Sequence, residues 1–148
     1  SHFAPAMLEE AIATYRATFR PSETLARPHV MVAAGVCAAE TDEEASFLRS
    51  SQLLAFARLR SGMAGKLPKP TQDLAAEVPP QVMAQVEHAM SCSATGAPEK
   101  LRREIEALIA RYQPDELIVT GMIHDHAARM RSFDIAAQVL RDLRVPSA

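Results

Sequence analysis

The sequence has no tryptophan, only two tyrosines and only two cysteines among its 148 residues. Two cysteines are too few for a disulfide-stabilised scaffold, so Cys37 and Cys92 are interpreted as buried thiols. The scarcity of aromatic side chains argues against the stacking surfaces that bind single-stranded nucleic acids. The chain must therefore fold around an ordinary apolar core.

A surplus of basic charge is also missing. Lys and Arg together number 16, and Asp and Glu number 18, so the formal net charge is −2. Contact with a nucleic-acid backbone needs a strong basic excess or patch, so we expect no nucleic-acid partner.

No apolar run approaches the roughly 20 residues that a membrane-spanning helix needs. The first six residues have neither the basic nor the apolar region of a signal peptide. We therefore expect no membrane partner and a cytoplasmic location.

The overall composition is typical of one globular domain, with 48% hydrophobic and 23% charged residues. Apolar side chains recur at helical spacing in five segments. These predicted helices cover about 5–19, 41–60, 81–90, 98–112 and 125–143. The segment 61–80 is rich in Gly and Pro and is interpreted as a loop or insertion.

Two apolar runs without alternation predict strands that are buried on both faces, at about 29–37 and 115–121. A very short strand is also predicted at 91–94. Strands that alternate with helices predict parallel α/β units joined by right-handed crossovers. Only about three strands would leave two long apolar edges open, so we expect a truncated part of something larger.

Ligands of parallel α/β folds bind at the carboxyl ends of the strands. The densest polar cluster at such an end is His124-Asp125-His126. Its two imidazoles and one carboxylate could bind a metal ion, as in a metal-dependent hydrolase. Alternatively, Asp125 caps the last helix, or the cluster forms the polar wall of an organic-ligand pocket.

Several short segments follow one another in an order typical of one enzyme family. They are Ser1–Pro5, Arg27–Val32, Ala39–Ala45, Gly96–Glu99, Asp115–Thr120, and His124-Asp125 with Arg129 and Ser132. Together they cover nearly the whole chain, and they resemble the C-terminal half of the luciferase-like flavin-dependent monooxygenases, the bacterial-luciferase-like family. Thr95 and Ala97 depart from that pattern, which argues against a phosphate-binding role for the turn between them.

The resemblance implies the C-terminal half of a (β/α)8 TIM barrel, with about three parallel strands and five to six helices. Residues 1–148 would form a single domain, from the end of strand five through helix eight of the barrel. The segment 61–80 would be part of the family's insertion. The parent protein would use reduced FMN, or the deazaflavin F420, and oxygen to oxidise a small organic substrate.

The resemblance also implies site residues. Ser1, His2 and Phe3 would lie beside the flavin ring, and His2 is the catalytic candidate. The rim of the substrate pocket would be formed by Thr120, Gly121, His124 and Asp125. No metal is expected under this interpretation.

Three functions therefore remain open. The chain could be a fragment of a flavin-dependent monooxygenase, without activity or bound flavin when isolated. It could be a non-catalytic half-barrel module that pairs as a homodimer to bury its strand edges. It could also be a metal-dependent hydrolase that uses His124 and His126.

Overall fold

The structure, a computed structural model, describes residues 5–143. The candidates Ser1, His2 and Phe3 lie outside the described residues. A short 3-10 turn, Pro5–Met7, leads into the first helix. The α-helices are α1 Leu8–Thr18, α2 Asp42–Arg60, α3 Leu74–Glu77, α4 Pro80–Ala89, α5 Pro98–Tyr112 and α6 His126–Leu143. The strands are β1 Met31–Ala38, β2 Ser93–Gly96 and β3 Glu116–Thr120.

The three strands form one parallel sheet in the order β2-β1-β3. The amino half of β1 pairs with β3, from Met31 opposite Glu116 to Gly35 opposite Thr120. The carboxyl half of β1 pairs with β2, where Gly35 lies opposite Ser93. The central strand is therefore buried over most of its length, which explains its unbroken apolar sequence.

Helices cover both faces of the sheet. On one face, α5 and α6 pack against Val36, Ala38 and Ala94. On the other face, Cys37 contacts side chains of α2. The crossovers from β1 to β2 and from β2 to β3 run in opposite directions, and right-handed connections then require opposite faces.

The α/β class, the three parallel strands and the six helices agree with the sequence prediction. The order of the strands in the sheet differs from the order in a closed barrel. In a closed (β/α)8 barrel consecutive strands are neighbours and the helices form one outer ring. Here β3 pairs with β1 instead of β2, and it thereby covers an edge of β1 that would otherwise be open.

On the face of the sheet that packs against α2, the part near β3 is exposed to solvent. Met31 and Ile118 lie on the same face as Cys37, and their exposed fractions are 52% and 45%. Both lie near the β3 side, whereas α2 packs against β2 and β1. This uncovered patch is defined here by Met31 and Ile118.

Side chains at the amino ends of α2 and α3 accept hydrogen bonds from the helix backbone. Thr41 precedes α2, and its hydroxyl accepts a hydrogen bond from Glu44 N at 3.1 Å. The segment 61–80 is mostly irregular but contains α3, which is capped by Asp73. None of the described helices is both long and apolar enough to cross a membrane.

Candidate functional site

β3 ends at Thr120, opposite Gly35 in the middle of β1, and the predicted pocket rim begins there. The Thr120 hydroxyl donates to the carbonyl oxygen of Ala34 at 3.5 Å. Gly121 follows beneath the ring of Phe133, and a Cβ at this position would lie 3.2 Å from Phe133 Cζ. Close packing against α6 therefore explains this glycine.

His124 and Asp125 are exposed, in the loop that leads into α6. Asp125 Oδ1 accepts a hydrogen bond from Ala128 N at 2.8 Å, so Asp125 caps α6. His126 Nδ1 lies 2.8 Å from an Arg129 guanidinium nitrogen. Within residues 5–143, no group of three or more His, Cys, Asp or Glu side chains is arranged to hold a metal ion.

The turn between β2 and α5 already holds an anionic group. Ala97 N donates to Asp42 Oδ1 at 2.8 Å, so the amino terminus of α5 binds the Asp42 carboxylate. Gly96 has φ +152°, and a Cβ there would lie 2.7 Å from Asp42 Oδ1. In the sequence, Asp42 is only one position of the segment Ala39–Ala45, and its contact with β2 and α5 was missed.

An arginine at the same end of the sheet is paired as well. Arg131 Nε donates to Glu40 Oε1 at 2.8 Å, which joins the loop after β1 to α6. Both side chains are exposed, so this pair contributes little to stability. Glu40, Arg131 and Arg102 line a groove of about 550 Å³ between α5 and α6.

Neither cysteine has the properties of a nucleophile. Burial raises the pKa of Cys37 to about 12, and the nearby Arg49 offsets only part of this rise. Burial also raises the pKa of Cys92. Both thiols are buried, so they remain protonated near neutral pH, as expected for structural cysteines.

A polar cluster that sequence reasoning missed lies on the face of β2 that contacts α2. Arg49 extends from α2 to the strand, and its guanidinium donates to Ser93 Oγ at 2.9 Å and to Thr95 Oγ1. Glu104 on α5 accepts a hydrogen bond from Thr95 N at 2.7 Å. These residues are far apart in sequence, and none belongs to a recognisable motif.

Sequence and fold together relate the chain to the luciferase-like monooxygenases, which confirms the resemblance found in the sequence. One relative is the protein named luciferase-like monooxygenase of Escherichia coli strain K12. It is 38% identical over 143 residues, which are 97% of this chain and 43% of the relative. The uncharacterized protein YvbT of Bacillus subtilis strain 168 is 34% identical over 142 residues, which are 96% of this chain and 42% of that protein.

Among solved structures, the crystal structure of apo-MsnO8 superposes with a TM-score of 0.72 and 26% sequence identity. The match covers 93% of this chain and 42% of that one. The chain thus spans less than half the length of the relatives it matches, which is consistent with half a barrel. No family model matches the chain.

Two groups among the described residues that could bind an anion already have a partner within the chain. Asp42 fills the amino terminus of α5, and Glu40 pairs with Arg131. The three residues expected beside the flavin ring, 1–3, lie outside the described part of the chain. No step of flavin chemistry is therefore assigned to residues 5–143.

Proposed function

We propose that this chain is the C-terminal part of a flavin-dependent monooxygenase. The whole protein would use reduced FMN, or F420, to oxidise a small organic substrate with oxygen. The observation that carries this proposal is the 38% identity, over 97% of the chain, to a protein named luciferase-like monooxygenase. We further propose a cytoplasmic location, a single domain over residues 1–148 and an insertion at 61–80.

The isolated chain is proposed to be inactive, because its described residues leave the flavin without a complete set of contacts. The test compares the isolated chain with a longer protein that contains it and with the E. coli relative. Each is mixed with reduced FMN, oxygen and an aldehyde, and carboxylic-acid product is measured, because free reduced FMN consumes oxygen without a protein. We expect product from the longer protein and from the E. coli relative, and none from the isolated chain.

Turnover by the isolated chain would overturn its proposed inactivity. A longer protein that binds neither reduced FMN nor reduced F420 would overturn the flavin proposal. Replacing His2 by Ala in the longer protein tests the catalytic candidate. Unchanged turnover and unchanged flavin affinity would remove His2 from the site.

Variants of the longer protein also test the proposed pocket rim, which consists of Thr120, Gly121, His124 and Asp125. His124→Ala in the longer protein is the informative variant, because the His124 side chain is exposed. We expect a higher KM for the substrate with flavin affinity unchanged. Asp125 is less informative, since its loss would also remove the cap of α6.

Self-association is a second candidate function, and the uncovered patch favours it. Met31 and Ile118 expose apolar surface on a sheet face, which proteins commonly bury against a partner. Two copies related by a twofold axis could bury both patches at once. The homodimer formed in this way could be part of an enzyme or a non-catalytic module.

A further inference from the structure

A groove of about 550 Å³ lies beside β2, on the edge that does not pair with β1. Side chains of α2, α4 and α5 complete its walls. Its charged and hydroxyl lining includes Arg49, Glu87, Ser93, Thr95, Lys100 and Glu104. We name it the β2-edge groove.

The cations of this groove have no close carboxylate partner. Arg49 donates to the Ser93 and Thr95 hydroxyls, and the Ser93 hydroxyl in turn donates to the Met90 carbonyl oxygen at 2.6 Å. Within residues 5–143, neither Arg49 nor Lys100 forms an ion pair with a carboxylate. The guanidinium is thus oriented by neutral groups and is not neutralised by contact.

A partly buried guanidinium without a contacting anion is unusual, because buried charges in proteins are normally paired. Two of the five guanidinium N–H groups of Arg49 are engaged by the two hydroxyls, which leaves three to bind another acceptor. Burial lowers the pKa of Arg49, because desolvation disfavours the charged form.

Two carboxylates limit what the groove can hold. Glu104 is engaged by the backbone N–H of Thr95, and Glu87 lies on α4. Both contribute to the electrostatic environment of Arg49 without forming an ion pair with it. They would repel a polyanion, so the groove suits a single small anionic group.

We propose that the β2-edge groove binds a small molecule through an oxyanion group, a carboxylate or a phosphate monoester. Arg49 and Lys100 would contact the oxyanion, and Ser93 and Thr95 would hold the Arg49 guanidinium in place. This site includes none of residues 1–3, for which flavin contacts are proposed. It therefore stands or falls independently of the monooxygenase proposal.

The test is a titration of the ¹⁵N-labelled chain at constant ionic strength, with inorganic phosphate in one arm and acetate in the other. Amide resonances of Ser93, Thr95 and Lys100 are followed by NMR. We expect a saturable shift in at least one arm. A response to phosphate alone would assign a phosphate ligand, and a response to acetate alone a carboxylate.

Two variants locate the site. Arg49→Gln should weaken binding by about tenfold or more, because a hydrogen bond to a charged group is worth at least about one order of magnitude in affinity. Lys100→Gln should weaken it less. If Arg49→Gln does not fold, Lys100→Gln carries the test, since its side chain makes no ion pair whose loss would unfold the protein.

Arg58→Gln is the matched control, because Arg58 lies on the same helix but pairs with Glu77 at 3.6 Å. It should leave the titration unchanged. The proposal is overturned if neither anion gives a saturable shift at these amides. It is also overturned if each of the variants Arg49→Gln and Lys100→Gln that folds binds the anion as the unmodified chain does.

Discussion

Cys37 shows how burial can dominate the chemistry of a residue. Its thiol packs among Ala39, Ala45 and Leu48, and its pKa is raised to about 12 from an ordinary value of 9.0. The folded state thus retains the proton more strongly than the unfolded state. The resulting contribution to stability is fully present below pH about 9 and is lost as the pH rises toward about 12.

We therefore expect the native protein to react slowly with a thiol reagent such as DTNB at pH 8, and the urea-unfolded protein to react quickly at two thiols. Absorbance at the reagent's product band measures both rates. The variants Cys37→Ala and Cys92→Ala separate the two sites. Fast labelling of the folded Cys92→Ala variant would contradict the assignment of Cys37 as an inert, buried thiol.

At the scale of an element, α2 depends on its cap. The Thr41 hydroxyl satisfies the backbone N–H of Glu44, one of the donors at the helix start that lack an intrahelical partner. Thr41→Ala should lower the free energy of unfolding by about 1 kcal/mol, measured by urea denaturation. Thr41→Ser keeps the hydroxyl and should lower the free energy of unfolding much less. Equal decreases in the two variants would show that the cap is unimportant.

The junction of β2 and α5 is a second element with a steric requirement. A Cβ at Gly96 would lie 2.7 Å from Asp42 Oδ1, and φ is +152°. Gly96→Ala should lower the free energy of unfolding by about 1–3 kcal/mol, the range typical of a residue forced into such a backbone region.

The control for this junction is Gly65→Ala. Gly65 has no atom within 4 Å of an added Cβ, so its replacement should change the free energy of unfolding little. Thermal or urea unfolding monitored by circular dichroism compares the two variants. Equal stability of Gly96→Ala and Gly65→Ala would refute the close approach of Asp42 to this turn.

At the scale of the whole molecule, the uncovered patch governs self-association. If two copies pair through it, Ile118→Glu should shift the protein toward monomer, because a charge would be buried in the interface. Leu59→Glu is the matched control, since Leu59 on α2 is 57% exposed and lies outside the patch. Sedimentation velocity over a range of concentrations measures the shift, and a monomeric unmodified chain would exclude pairing.

Much of the fold was predictable because its signals are local. The apolar runs that became β1 and β3 and the Thr41 cap of α2 lie within short segments of sequence. The strand order was not predictable, because it depends on which edge of β1 accepts β3. Arg49 was missed for a similar reason: its partners Ser93 and Thr95 are more than 40 residues away along the chain.

The central position of β1 has a consequence for how the molecule opens. Within residues 5–143, every strand pairing passes through β1, and β2 and β3 do not pair with each other. Either outer strand can therefore separate while the remaining pair stays intact. Amide hydrogen exchange should then be slowest in β1 and faster, at two different rates, in β2 and β3. One common rate for all three strands would instead mean that the sheet opens as a single unit.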